Sequence, residues 1–370
     1  MEEINFPSTN ELKILLNEEK IQKILIICGK NSYKSSGADA LIKESIKKKY
    51  EFFFKKSYYP EISELKEIIK FIKRYSPDLI LAIGGGSVLD YAKIANVLFD
   101  SRDLIEEIHS STYKINKKFA KLAAIPTTAG SGAEVTSNAV IYINKVKYSV
   151  EGDYLRPDFF FLVPDLVFRA SRTIKASAGF DAIAQAIESL ISKKSNEKSV
   201  KFAERSLQIS LKYFLDFLNK PNLENTSAMN FAANLAGEAI NISKTTAPHA
   251  VSYPFTSIYN ISHGHAVSLT LNQFLEFNYK NISRANCSFD LSSRYKIMFK
   301  ASKTKNFLDF SKFLVDIKVN ANLESDFQNL KIDLERDYDK FISGVNILRL
   351  SNNPVKLNKE DLKNIIIPNS

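Results

Sequence analysis

The sequence has no tryptophan, three methionines and only two cysteines, Cys28 and Cys287. Two cysteines exclude a disulfide framework and any zinc site built on several thiolates, and they fit a reducing compartment. Twelve glycines and 11 prolines in 370 residues exclude a collagen-like or low-complexity chain. No stretch approaches the ~18 uninterrupted apolar residues that a membrane helix requires. The opening residues, MEEINFPSTN, hold no apolar signal core. The expectation is a cytoplasmic protein with no membrane partner. An excess of acid is lacking too: 51 Lys and Arg face 41 Asp and Glu, a net charge of +10. The surplus lies in runs such as Lys47-Lys48-Lys49, Lys55-Lys56 and Lys117-Lys118. No nucleic-acid motif accompanies them, so they read as solvated faces and no nucleic-acid partner is expected. What remains is an ordinary globular composition, 45% hydrophobic and 25% charged. At roughly 150 residues per domain the length implies two or three domains.

Residues 23–28 (KILIIC), 51–55 (EFFFK), 78–83 (DLILAI) and 121–125 (KLAAI) are short apolar runs and read as buried strands. Helical spacing lies between them: residues 36–49, a helix opened by Pro60, and one capped by Ser87 that carries Leu89, Ala92, Ile94 and Ala95. Apolar strands alternating with helices predict a parallel sheet covered on both faces. Residues 138–143 and 147–150 suit a hairpin, and 159–163 one more strand. From about residue 171 the pattern is helix after helix, over 176–192, 197–218, 225–242 and 265–278, and helical to the end. The predicted fold class is α/β plus all-α. Residues 1–170 form a parallel-sheet, dinucleotide-binding domain, and 171–370 an all-helical metal-binding, catalytic domain.

Gly84-Gly85-Gly86-Ser87 joins a strand to a helix. Such a turn lets backbone approach a phosphate, and the helix N-terminus offers free N–H groups and partial positive charge. The same turn also serves as a plain tight turn, and it is neither the GxGxxG fingerprint nor a P-loop. A second loop, residues 125–134 (IPTTAGSGAE), follows another strand. Two such loops at the carboxyl ends of one parallel sheet mark the place where open α/β sheets bind nucleotides. Of four histidines, three fall together as His249, His263 and His265, while His109 lies in a polar stretch and reads as solvated surface. Asp181 and Gln185 sit i, i+4 in an apolar helix, AGFDAIAQAIESL, and so share one face. A carboxylate buried there requires a partner. A divalent metal held with His249 and His263 supplies one; an arginine, with the histidines as ordinary core residues, supplies another. The residues alone leave both open.

GGGSVLDYAK (84–93), IPTTAGSGAEVT (125–136), the helix around Asp181 and PHAVSYPFTSIYNISHGHAV (248–267) occur together in this order. In order and spacing they resemble the iron-containing alcohol dehydrogenases, over about residues 20–280. The resemblance implies a dehydroquinate synthase-like fold and a reversible hydride transfer between a nicotinamide and a carbonyl. It places the metal ligands on Asp181, Gln185, His249 and His263, with iron(II) the family metal and zinc or manganese the alternatives. Gln185 stands where the family carries a third histidine, and a neutral amide oxygen is the weaker donor. Tyr253 replaces a second family histidine associated with proton relay, and joins Asp181, His249 and His263 in the implied catalytic set. His265 is an extra histidine beside them. Gly85, Gly86 and Ser87 are implied to hold the cofactor pyrophosphate, Thr127, Thr128 and Ser131 to line its cleft, and Asp90 to support the glycine turn. After the first strand the NAD-type acid is missing, and Ser32 with Lys30 or Lys34 suits a 2′-phosphate, so NADPH is expected over NADH. Gln185 and the pattern HAVSYPxTSxYxIxHGHAV resemble the phosphonoacetaldehyde reductases, which form 2-hydroxyethylphosphonate. Lys147 and Arg156 are then the candidate anion contacts. The alternatives are a dehydrogenase of another small carbonyl, phosphorylated or polyol, and a metal-independent reductase as in the maleylacetate reductase branch. A homodimer or larger homo-oligomer is implied.

Overall fold

The computed structural model describes residues 9–367. Its described strands are β1 (Lys23–Gly29), β2 (Lys49–Lys55), β3 (Leu79–Gly84), β4 (Lys121–Pro126), β5 (Asn138–Ile143), β6 (Val146–Glu151) and β7 (Phe159–Phe160). Five of them form a sheet in the order β2-β1-β3-β4-β7 with every neighbouring pair parallel. Side chains alternate between the faces of a strand, and here both faces are apolar. Ile24, Ile26 and Cys28 of β1 join Leu79, Leu81 and Ile83 of β3 in one core. Leu25 and Ile27 join Ile80 and Ala82 in the other. The first core is closed by α1 (Thr9–Leu16), α2 (Lys30–Ser35) and α3 (Ala38–Ser45), through Leu12, Tyr33 and Ile42. The second is closed by α4 (Ile62–Tyr75), α5 (Gly86–Val97) and α6 (Leu104–His109), through Leu65, Leu89 and Ile108. Burial pushes the Cys28 thiol up to about 12, which leaves it an inert core residue.

Strand order turns between β1 and β3, the place where open sheets bind ligands beyond their carboxyl ends. Gly84 ends β3 there; a Cβ on it would fall 2.6 Å from Val88, so the chain enters α5 with no room for a side chain. Ser87 does not cap this helix. The N-cap is Gly85, with no side-chain cap, because the extended glycine backbone starts the helix at Gly86. The helix expected at 36–49 is the shorter α3, which begins after Gly37, left-handed at φ 84°, and ends at Ser45 before β2 takes Lys49; α2 is an additional short helix ahead of it. The β5–β6 hairpin turns on Asn144 and Lys145, both left-handed at φ 51° and 67°, a twist that suits a two-residue turn. The last strand is shorter than 159–163, because β7 pairs with β4 only through Phe159 and Phe160 and lies between Pro157 and Pro164.

After α7 (Pro164–Phe168) every described element is helical: α8 (Arg172–Ile191), α9 (Glu197–Asn219), α10 (Leu223–Ser243), α11 (Ala247–Tyr259), α12 (His263–Ser268), α13 (Leu271–Lys280), α14 (Leu291–Ser302), α15 (Phe307–Asn320), α16 (Leu334–Ser343), α17 (Ile347–Ser351) and α18 (Lys359–Ile366), with one 3-10 turn. The chain divides into two units. One takes the described residues up to Thr128 with Gly132–Ala170 and Asn222–Asn230; the other takes Ala129–Ser131, Ser171–Pro221 and the described residues from Phe231 onward. None of the described helices is long and apolar enough to cross a membrane. In the second unit α8 is buried along almost its whole length from Lys175 to Ile191, and its N-cap Ser171 accepts from Ile174 N–H at 3.3 Å. The helix expected at 265–278 is two, α12 and α13, and α11 precedes them as a helix the sequence pattern had not marked. Pro254 lies inside α11 and has no N–H to give the carbonyl of Ala250. That carbonyl accepts from Asn346 N–H at 3.2 Å instead.

Candidate metal and cofactor sites

Asp181, Gln185 and Glu188 stand at i, i+4 and i+7 of α8 and are 4%, 3% and 0% exposed. Three polar side chains on one buried helical face require partners from elsewhere. Two come from α12 and α11. A Cβ on Gly264 would fall 1.9 Å from the carbonyl of Ser177 and 2.8 Å from Cβ of Asp181, so only glycine lets α12 lie directly on α8. That contact brings His263, its neighbour in the chain, over Asp181. The other partner is His249 in the first turn of α11.

Nε2 of His249 lies 3.2 Å from Oδ1 of Asp181, and Nε2 of His263 lies 4.0 Å from the same oxygen. Ligand atoms of Asp181, His249 and His263 all fall within 4.8 Å of one another. Neighbours fix the ring orientations. Nδ1–H of His249 donates to Oε1 of Glu188, which reserves the Nε2 lone pair for a cation. Oε2 of Glu188 accepts from the N–H and hydroxyl of Thr246 at 2.7 and 2.9 Å, so this carboxylate is buried but well served. The Ser252 hydroxyl gives its proton to the carbonyl of His249 at 2.8 Å, and its oxygen faces Nδ1 of His263 at 3.4 Å. Burial alone would lower the His249 pKa, but the carboxylates of Glu188 and Asp181 outweigh it and push it up to about 9, so a metal binding at Nε2 displaces a proton from the ring. Glu188 and Ser252 were missed in the sequence. The only signal for Glu188 is its i+7 position, two turns beyond Asp181.

These residues suit a divalent cation. Nε2 of His249 and Oε1 of Gln185 are buried without a hydrogen-bond partner among the described residues. The Gln185 amide nitrogen is satisfied, donating to Oδ2 of Asp181 at 3.1 Å and reaching the carbonyl of Ser131 at 3.5 Å. What stays open is its carbonyl oxygen, the atom a metal takes from an amide. A carboxylate, two imidazoles and an amide oxygen form a four-donor set of the kind that binds iron, zinc or manganese.

Tyr253 follows His249 by one turn, 8% exposed, with its ring centroid 5.9 Å from that of His263. Its hydroxyl is bonded to Arg349 of α17; burial raises its pKa, Arg349 opposes the rise, and the Glu188 and Asp181 charges add to it. His265 is turned away from the cluster: Nε2 donates to the carbonyl of Glu324 at 2.7 Å. His109 is exposed. Ser131 enters the second unit through Gly130, where a Cβ would fall 2.7 Å from the carbonyl of Ala178.

In the sheet unit, Thr127 N–H donates to the carbonyl of Gly84 at 3.0 Å, tying the second loop to the glycine turn. Thr128 Oγ1 would lie 3.4 Å from a Cβ on Gly85, and Gly86 and Ser87 open the twelve-residue α5. Asp90, expected beside that turn, faces the hairpin as well. It accepts from Val140 N–H of the hairpin, near Lys93 and Lys147, and burial outweighs these partners to raise its pKa to about 6. Ser32 Oγ, just beyond β1, donates to the carbonyl of Gly29 at 3.1 Å.

Residues 5–164 match the family described as iron-containing alcohol dehydrogenase, and residues 175–369 match the C-terminal part of the same family. A phosphonoacetaldehyde reductase of Streptomyces viridochromogenes is 31% identical over 212 residues, 55% of this chain and 53% of the relative. A 1-propanol dehydrogenase of Citrobacter freundii is 31% identical over 222 residues, 59% of this chain and 56% of the relative. The chain thus spans about half the length of these curated relatives. The crystal structure of a sulfoacetaldehyde reductase from Bifidobacterium kashiwanohense in complex with NAD+ is similar over 98% of this chain and 94% of that one, with a TM-score of 0.86 and 26% identity. With matches to both parts of the family covering most of its length, the chain belongs to the iron-containing alcohol dehydrogenases.

Proposed function

We propose that the protein is a metal-dependent, nicotinamide-linked reductase of a small aldehyde bearing an acid group, with phosphonoacetaldehyde the first candidate and 2-hydroxyethylphosphonate its product. The observation that carries the reading is the buried cluster of Asp181, His249 and His263, with the carbonyl oxygen of Gln185 beside it. When bound, a divalent ion supplies Lewis acidity toward a carbonyl oxygen and a nicotinamide supplies hydride. The chain's own groups do the rest. Glu188 keeps the His249 Nδ1 proton in place, so that Nε2 is the nitrogen that gives up its proton to take the metal. Iron(II) is the metal the family name favours; zinc and manganese accept the same donors. The phenol of Tyr253, whose ring lies beside that of His263, is the candidate proton source for the nascent alcohol. Backbone N–H groups of Gly86 and Ser87 at the start of α5 favour the pyrophosphate of the cofactor.

The acid group on the substrate is supported by two similar proteins, named for phosphonoacetaldehyde and sulfoacetaldehyde. The 1-propanol dehydrogenase, equally identical to the first, favours a second reading in which the aldehyde is neutral. Turnover decides between them. A site built for an anion disfavours a substrate lacking it, so kcat/KM for phosphonoacetaldehyde should exceed that for propionaldehyde by at least ~100-fold. A ratio near one moves the assignment to the neutral aldehyde.

A further inference from the structure

Gln185 of α8 is buried, and the two ends of its amide meet different surroundings. The nitrogen has two acceptors. It donates to Oδ2 of Asp181 at 3.1 Å, one turn back in the same helix, and reaches the carbonyl of Ser131 at 3.5 Å. Ser131 belongs to the same unit as α8, and its neighbour Gly130 makes the reach possible, because any Cβ there would meet the backbone of Ala178. The flipped amide would set Oε1 against a carboxylate and a carbonyl, oxygens with no proton to share. These two contacts therefore fix the orientation. Oε1 is left buried with no hydrogen-bond partner among the described residues. An unserved buried carbonyl is a cost to the fold, and a cation offsets it.

The same contact acts on Asp181. With Oδ2 engaged by the Gln185 amide, Oδ1 is the oxygen that faces both imidazoles, 3.2 Å from Nε2 of His249 and 4.0 Å from Nε2 of His263. One residue thus supplies a neutral oxygen and turns the neighbouring carboxylate toward ligation through a single oxygen. The resulting donors are two imidazole nitrogens and two oxygens. Imidazole suits zinc, nickel and iron, whereas carboxylate and carbonyl oxygens suit manganese and other hard ions. Zinc holds the higher intrinsic affinity of the pair zinc and manganese. An equal share of oxygen and nitrogen narrows that lead, and a third nitrogen widens it.

We propose that Gln185 sets the metal preference of this enzyme: by presenting Oε1 and by holding Asp181 to one oxygen, it favours manganese(II) and iron(II) against zinc. The proposal rests on the reading that the cluster holds a divalent ion. Because Gln185 is neutral, exchanging it for another neutral donor changes the kind of ion favoured without changing the charge of the site.

The test measures manganese(II) and zinc(II) binding to the chelator-stripped full chain, each by competition with a metal-sensitive dye. The quantity read is the ratio of the two dissociation constants, manganese over zinc. Wild type is compared with Gln185→His, which exchanges the oxygen for an imidazole nitrogen. It is also compared with Gln185→Met, unbranched and of similar length, which exchanges the oxygen for a soft sulfur. The ratio should rise at least about tenfold in each variant, or about 1.4 kcal/mol. In Gln185→His zinc binding should tighten; in Gln185→Met manganese binding should weaken. Damaged packing alone would weaken both ions together and leave the ratio in place. Gln185→Met decides the matter if the His variant does not fold. An unchanged ratio in the folded variants overturns the proposal while the metal cluster stands. Wild-type protein that binds neither ion removes the cluster as a metal site, and the role of Gln185 with it.

Discussion

Asp181, Gln185, His249 and His263 were legible as residues because their chemistry is rare in an apolar setting and their spacing is regular. Glu188 was not. A glutamate in a helix ordinarily faces water, and nothing local says that this one is completely buried. Its role exists only because Thr246 and His249, at the start of α11, reach it from about sixty positions away in the chain. Its effect is testable without turnover. Partners that orient a metal-ligating histidine change metal affinity by about 10–100-fold when replaced. Glu188→Gln should therefore weaken iron(II) or zinc binding by that factor, measured by titration. It should also lower stability by about 1–3 kcal/mol, since the Thr246 donors lose an ionised acceptor. Wild-type affinity in that variant would show that His249 needs no orienting carboxylate.

At the scale of elements, the strands were readable because each is a short apolar run with both faces buried. Helix α11 was not, because Pro254 sits inside it and reads as a breaker. Only the remote Asn346 N–H, which serves the orphaned Ala250 carbonyl, accounts for a helix at that place. The split between α12 and α13, hidden in a single helical pattern, matters more for chemistry. It gives α12 its own direction and lets Gly264 press onto α8. Gly264→Ala should force the two helices apart. Overpacking of this kind costs about 1–3 kcal/mol or more, because the colliding atom is a backbone carbonyl that cannot swing aside. The melting temperature should fall and metal affinity should fall with it, since His263 moves with α12. A variant that melts and binds metal like wild type would contradict the role of this close approach.

For the whole molecule, fold class was legible because alternating strands and helices give way to helices alone, a pattern set by burial rather than by any single residue. The two candidate sites draw on separate sets of groups, a cation cluster in the helical unit and a glycine turn at the switch point of the sheet. Cofactor preference belongs to this level. Past β1 the chain offers Lys30, Ser32 and Lys34, with no acid before Asp39, so a 2′-phosphate meets positive charge where NAD-specific folds place a carboxylate. NADPH should be preferred by about tenfold in kcat/KM, or about 1.4 kcal/mol; equal or better use of NADH would contradict it. The central claim is that catalysis depends on a cation held by Asp181, Gln185, His249 and His263. Its most direct test is phosphonoacetaldehyde reduction by chelator-stripped protein, before and after iron(II) is returned. The stripped protein should stay folded by circular dichroism and lose at least about 100-fold in turnover. One equivalent of iron(II) per chain should restore it, and His249→Ala should neither bind the ion nor recover. Full turnover by protein shown to hold no metal would contradict the claim.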